Sequence, residues 1–373
     1  MENQDGFPFA FLDRIRVHIV KLTKMRGGRS MENKAIFEKL PSVLLPWYEA
    51  NMRDLPWRKD RQPYHIWLSE IMLQQTRVEA VKGYYTRFLE QLPTIDALAN
   101  ADDGLLYKLW EGLGYYSRVR NLKKAAKQIM DQHEGVFPRK YEQILALPGI
   151  GTYTAGAICS IAYDMPTPAV DGNVLRVIAR LTDDATPIDN ASYKKVVRGE
   201  LANIYPKQAG AFTQVLMELG ATVCGPNRKP DCPNCPCNGF CLGYQNGTAE
   251  TLPVKNGKKA RRVEAYTVFV LSCDGYYALE KRPNKGLLAH QWQFPNIPGK
   301  LSVEQTVAIM EQMGLKPKEI LLQVEKKHIF THVEWDMCGV YVEVSEKDSR
   351  YVWYHSSDLE RTVALPTAFR QFL

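Results

Sequence analysis

The stretch LALPGIGTYTAGAICSIAY, residues 145–163, sets two apolar helical patterns on either side of Pro148-Gly149-Ile150-Gly151. Glycine tolerates positive φ, so the joint can turn tightly, and the helix after it opens with N–H groups that lack an intrahelical partner. Those donors, with the positive end of the helix, suit a phosphate. A lone G-x-G could be an ordinary helix–turn–helix joint. Leu-Pro-Gly-Ile-Gly between two helices is instead the kind of turn that grips a DNA backbone, so Gly149 and Gly151 are expected to contact DNA.

Around that turn, residues 34 to 222 read as almost wholly helical. Apolar residues recur every three to four positions in AIFEKLPSVLLPWYEA, HIWLSEIMLQQTRVEAVKGYYTRFLEQL, GLLYKLWEGL and RNLKKAAKQIMDQH. Pro93, Gly112, Gly114 and Pro138 punctuate the pattern. A cysteine cluster follows, and then a polar, basic, glycine-containing linker over 249–264. From 265 the period changes to two: YTVFVLSC, an Asp274-Gly275 turn and YYALEKR form a hairpin pattern, followed by a helix in VEQTVAIMEQMG and a strand in HVEWDMCGVYVEV. The expected fold is multi-domain, an all-α body followed by an α+β module. Its parts would be a cysteine-bearing helical domain (31–56 with 156–248), a helical barrel carrying the turn (57–155) and the module at 265–373.

The 373 residues contain ample apolar side chains for large cores, and the net charge of +7 permits a polyanionic partner without requiring one. Cys159, Cys273 and Cys338 are scattered singly, which speaks for a reducing compartment and against a disulfide framework. No stretch is apolar enough to span a bilayer or to act as a secretory signal. Residues 1–30 read as an extension, since convincing helical sequence begins after Met31.

Two carboxylates stand out. Glu70 shares a helical face with Trp67 and Gln74, and Asp171 opens the helical pattern GNVLRVIARL. Spacing alone leaves Glu70 open as a surface residue and Asp171 as an ordinary N-cap. Five cysteines fall within CGPNRKPDCPNCPCNGFC, residues 224–241. Four thiolates can hold zinc or an iron–sulfur cluster, which makes one of them surplus.

Taken together, LPGIGTYTA, AVDGNVLRV and the cysteine cluster resemble the helix–hairpin–helix DNA glycosylases. LSEIMLQQTRV and WEGLGYYSRVRNL resemble the MutY-type, adenine-removing branch of that family. The resemblance runs from about residue 35 to the end. It implies removal of adenine mispaired with 8-oxoguanine or guanine in base excision repair, by a bacterial, cytoplasmic, nucleoid-associated monomer, with clamp or repair partners conceivable. Glu70 would be the acid that protonates the base, its pKa raised by apolar neighbours, and Asp171 the anion that stabilises the cationic sugar. Tyr153 and Asn173 would position Asp171 and the nucleoside. Strand-cutting members place a lysine where Tyr153 stands, and a phenol forms no imine, so the implied reaction is hydrolysis alone. Gln75 and Tyr115 would fill the stack when the base is extruded.

The same resemblance favours a [4Fe–4S] cluster on Cys224, Cys232, Cys235 and Cys241, with Cys237 as the spare. The first interval is one residue longer than the family spacing. Arg228 and Lys229 lie in that first loop, which the family turns toward DNA phosphate. The C-terminal module resembles the MutT/Nudix fold, but Val307, Ala308, Glu311 and Gln312 stand where its hydrolases place an arginine and three glutamates. One carboxylate cannot hold the metal and a diphosphate. Phe330, Thr331 and His332 match the loop that reads 8-oxoguanine, with threonine for serine. Two other readings stand beside this one: a glycosylase/lyase for oxidised pyrimidines, and a DNA-binding protein without catalysis.

Overall fold

The structure is a computed structural model, and it describes residues 32–226, 228–257 and 260–373; the expected extension at 1–30 lies outside them. The chain divides into two compact units. One contains the residues up to Glu70 with Pro138–Asn256, and the other Ile71–Phe137 with Gly257–Leu373. Residues 57–70 and 138–155 therefore stay with the cysteine-bearing half, and 71–137 pack with the C-terminal module.

In the first unit α1 (32–51) packs Phe37, Leu40 and Leu44 into a core with α9 (Gly172–Leu181), α10 (Ala191–Ile204) and α11 (Ala209–Thr222). α9 is buried nearly all round, and its polar stripe, with Arg176 and Arg180 one turn apart, is buried with it. A buried guanidinium needs several acceptors; Arg180 finds Leu252 O at 2.9 Å and Gly225 O at 3.1 Å, and Arg176 finds the carbonyls described below. α7 (Tyr141–Leu145) and α8 (Thr152–Tyr163) flank the Pro148–Gly151 turn. α12 (Leu242–Gln245) closes the cysteine loop.

In the second unit the single helical pattern of residues 65–92 is broken. α2 (Pro63–Leu73), which begins in the first unit, ends before Gln74, and α3 (Val78–Gln91) starts after Arg77. α4 (Ile95–Asn100), α5 (Asp103–Trp110) and α6 (Ser117–His133) follow. The two tyrosines of GLGYYSR lie in the turn before α6 rather than on a helix. Tyr116 is 6% exposed and Tyr115 45%, so one serves the core and its neighbour does not.

The module is a mixed sheet in the order β3 (Trp292–Gln293), β2 (Tyr276–Lys281), β1 (Arg262–Cys273), β6 (Val333–Val344), β5 (Pro317–Ile329), with β4 (Asn296–Pro298) on β1 and β7 (Val352–His355) on β2. Asp274 and Gly275, both at positive φ, make the two-residue turn between Cys273 and Tyr276 that the sequence predicts. β1 and β6 run parallel in the middle and are buried on both faces. Val268, Val270, Trp335 and Met337 meet Phe369 and Phe372 near the C-terminus. Phe269, Leu271 and Val340 meet Met310 of α13 (Val303–Gln312). α14 (Ser356–Thr362) and α15 (Thr367–Arg370) complete the chain. No described helix is long and apolar enough to cross a membrane.

Candidate active site

Glu70 lies on α2 with Trp67 and Ile71 and is only 5% exposed, so it is no surface glutamate. Burial pushes its carboxyl up to about 7. The nearby Asp171 charge adds to the rise, and a bond from Tyr153 and the Arg58 charge oppose it. Tyr153, one residue into α8, donates its phenolic O–H to Glu70 Oε2 at 2.6 Å. The phenol itself is held well above its ordinary value by burial, with the Glu70 carboxylate adding to the effect, and so remains a donor.

Asp171 is the N-cap of α9, as its position suggests, and accepts from the Val174 N–H at 2.8 Å. Asn173 Nδ2 donates to its other oxygen at 2.7 Å. The cap favours the charged form, as an N-cap should, through the bond from Val174, and Asn173 adds to it. Burial outweighs both and moves the Asp171 pKa upward. Asn173 is held in turn by Arg176, whose Nη2 donates to Asn173 Oδ1 at 2.8 Å and to Gly220 O at 2.7 Å. A Cβ at Gly220 would come within 2.8 Å of the Asn173 Cβ, so only glycine lets α11 approach this closely. Arg176 Nε donates to Cys224 O at 2.8 Å. One arginine thus ties Asn173, the partner of Asp171, to the first cysteine.

Spacing does not disclose a further group. Glu218 on α11 is fully buried and takes Arg53 at 2.6 and 2.9 Å and Arg58 at 2.7 Å. These charge-assisted bonds hold the Glu218 pKa down against its burial. They also fix Arg58, whose charge reaches Glu70. No periodicity links positions 53, 58 and 218. The one available signal is a lone glutamate in the apolar run AFTQVLMELG.

At the turn, Gly149 has φ +80°, as expected, but Gly151 does not share it. Gly151 is the extended N-cap of α8 at φ −98°, with no side chain capping the helix and no atom within 4 Å of where a Cβ would be. Ile150 is buried and both glycines are exposed, which presents bare backbone outward. Arg198 adds a cation there, donating to Thr152 Oγ1 at 2.7 Å.

Cys224, Cys232, Cys235 and Cys241 line one pocket with Arg180 and Leu219, and Cys237, although fully buried, is not part of that lining. Arg180 Nη1 lies 3.2 Å from Cys224 Sγ. Among the described residues no group of three or more His, Cys, Asp or Glu side chains is drawn together as a single ion would require. Arg228 folds back onto Thr222 O, and Lys229 pairs with Glu250 at 3.1 Å on the surface.

In the second unit Gln75 and Tyr115 both take left-handed backbone, at φ +60° and +47°. Tyr115 Oη bonds Thr331 Oγ1. Phe330-Thr331-His332 forms the turn between β5 and β6. Phe330 packs on Trp335 with ring centroids 4.8 Å apart, which leaves Thr331 and His332 exposed. Among the former Nudix positions only Glu311 is acidic.

Comparison with known proteins places both halves of the chain in known families. Residues 68–198 match the HhH-GPD superfamily of base excision DNA repair proteins, and residues 266–373 match the NUDIX domain. An adenine DNA glycosylase of Arabidopsis thaliana is 36% identical, the match covering 82% of this chain and 57% of the plant protein. That of Rattus norvegicus is 35% identical over 78% of this chain and 68% of its own. That of Buchnera aphidicola subsp. Baizongia pistaciae (strain Bp) is 32% identical over 87% and 93%. Among solved structures, a thermostable thymine-DNA glycosylase superposes with TM-score 0.51 at 28% identity, covering 58% of this chain and 98% of that one. A trapped endonuclease III–DNA covalent intermediate, at TM-score 0.50 and 23% identity over 57% and 98%, shares the fold.

Proposed function

Given that the chain belongs to the adenine DNA glycosylase family, we propose that it hydrolyses the N-glycosidic bond of adenine opposite 8-oxoguanine in duplex DNA. The observation that carries the mechanism is a buried carboxyl poised near neutrality, bonded to a phenol and coupled to a helix-capping aspartate. Glu70 gives its proton to N7 of the extruded adenine, so the electron pair of the C1′–N9 bond leaves with a neutral base. The Asp171 carboxylate faces the positive charge left on the sugar. Water then adds at C1′ and returns a proton to Glu70. With Tyr153 in place of a lysine, no imine forms and the strand stays intact.

The exposed Gly149–Gly151 backbone supports phosphate binding, and the Thr331 turn beside Tyr115 supports reading of the opposite base. A duplex carrying the 8-oxoguanine–adenine mispair is expected to give alkali-sensitive cleavage at the adenine, faster in single turnover than with guanine opposite. Equal rates for the two would remove the 8-oxoguanine assignment, and borohydride trapping of a covalent complex would favour a lyase.

Cys224, Cys232, Cys235 and Cys241 fit a [4Fe–4S] cluster by their shared apolar pocket and the cation at Cys224. Such a cluster spreads its thiolates wider than one zinc ion does, and it would supply a structural clip for the loop. The purified protein is expected to be brown, to absorb at about 400 nm and to lose that band on Cys232→Ser. A colourless, zinc-containing protein would overturn the assignment.

A further inference from the structure

α2 stops at Leu73 with neither glycine nor proline to stop it. The last carbonyls of a helix need donors from elsewhere. Here the Thr76 N–H takes Leu73 O at 3.3 Å, and one side chain takes the two carbonyls before it. Arg118 Nη1 donates to Ile71 O, Met72 O and Gln74 O at 2.7, 3.0 and 2.8 Å. Its other terminal nitrogen, Nη2, donates to Leu113 O at 2.8 Å and Gly114 O at 3.2 Å. Arg118 is 8% exposed, and apart from Thr76 Oγ1 its described acceptors are all backbone carbonyls. Its guanidinium also lies 5.7 Å from the Tyr115 ring centroid. The left-handed backbone of Gln75 and Tyr115 is costly for bulky residues and persists only where the surroundings over-determine it. The two strained positions directly follow Gln74 and Gly114, two of the carbonyls that Arg118 holds.

We propose that Arg118 is a positioning residue that clamps both insertion loops to one guanidinium, so that Gln75 and Tyr115 enter the duplex as a single stiff wedge. This rests on the glycosylase reading. Extrusion has to overcome stacking, and a wedge whose two tips move independently yields instead of displacing the base. A planar fork with donors on two ends can serve both loops; the point charge of lysine cannot.

The test uses the full chain with Arg118→Lys and Arg118→Ala. Extrusion is read from the fluorescence of 2-aminopurine placed beside the target adenine. Single-turnover rates are compared for a mispaired adenine and for an adenine in an unpaired bulge, where extrusion costs little. Both variants are expected to lose about tenfold or more on the duplex, with a matching loss of the fluorescence rise and a much smaller loss on the bulge. A loss equal on both substrates, full duplex activity, or unfolding of both variants in circular dichroism would overturn the clamp. A parent protein inactive on duplex and bulge alike would instead refute the glycosylase reading.

Discussion

Replacing Glu70 by glutamine is expected to slow adenine release by about a thousandfold, the range a positioned general acid supplies, and at the same time to stabilise the fold above neutral pH. Glutamine keeps the shape and can still accept from Tyr153, but it has no proton to give. The stability gain follows from linkage. Unfolded, the carboxyl titrates at its ordinary 4.5; folded, at about 7. Between those values the native state holds a proton that the unfolded chain has released, so stability falls as pH rises through the window. Above it the cost is complete, about 3 kcal/mol for a shift of this size. Denaturant unfolding should therefore show parent and variant alike at about pH 4 and the variant ahead at about pH 8. The parent's rate should decline above about pH 7, because the acid must be protonated, and Tyr153→Phe should move that decline upward by removing a bond that favours the carboxylate. An active Glu70→Gln enzyme would end this mechanism.

The sequence displays what is encoded locally. A turn of Pro-Gly-Ile-Gly, an aspartate ahead of a helical pattern and Asp274-Gly275 between two strands each need only a few adjacent residues to be read. The hidden features are those in which a distant side chain overrides local pattern. Nothing in LSEIMLQQTRVEA ends a helix; Arg118, more than forty positions on, takes two of the last carbonyls of α2 and that of Gln74 just after it. Glu218 and its two arginines are likewise joined only by the fold. That one of two adjacent tyrosines must leave the core is legible in the sequence; that it is Tyr115, on left-handed backbone, is not. For Asp171 the cap is visible in the sequence, and the burial that raises its pKa is not.

Asp171→Asn separates the two jobs of that residue. Asparagine caps a helix about as well as aspartate, so the bond from Val174 and the start of α9 should survive. Its amide NH2, set against the Asn173 Nδ2 that Arg176 holds in place, loses the second bond and should cost about 1–3 kcal/mol. The negative charge facing the sugar is lost, and the rate should fall by about a hundredfold to a thousandfold, as when an electrostatic stabiliser is removed. Asp171→Ala should add the cap's loss, roughly 1 kcal/mol, visible as earlier unfolding. Asp171 also raises the Glu70 pKa through its charge. In the asparagine variant the residual activity should therefore decline at a lower pH than in the parent, because Glu70 gives up its proton more readily once its anionic neighbour is gone. A protein merely weakened at α9 would lose rate without moving that limb. An unmoved limb together with a preserved fold would mean that the two carboxylates act independently, and the coupled pair would have to be abandoned.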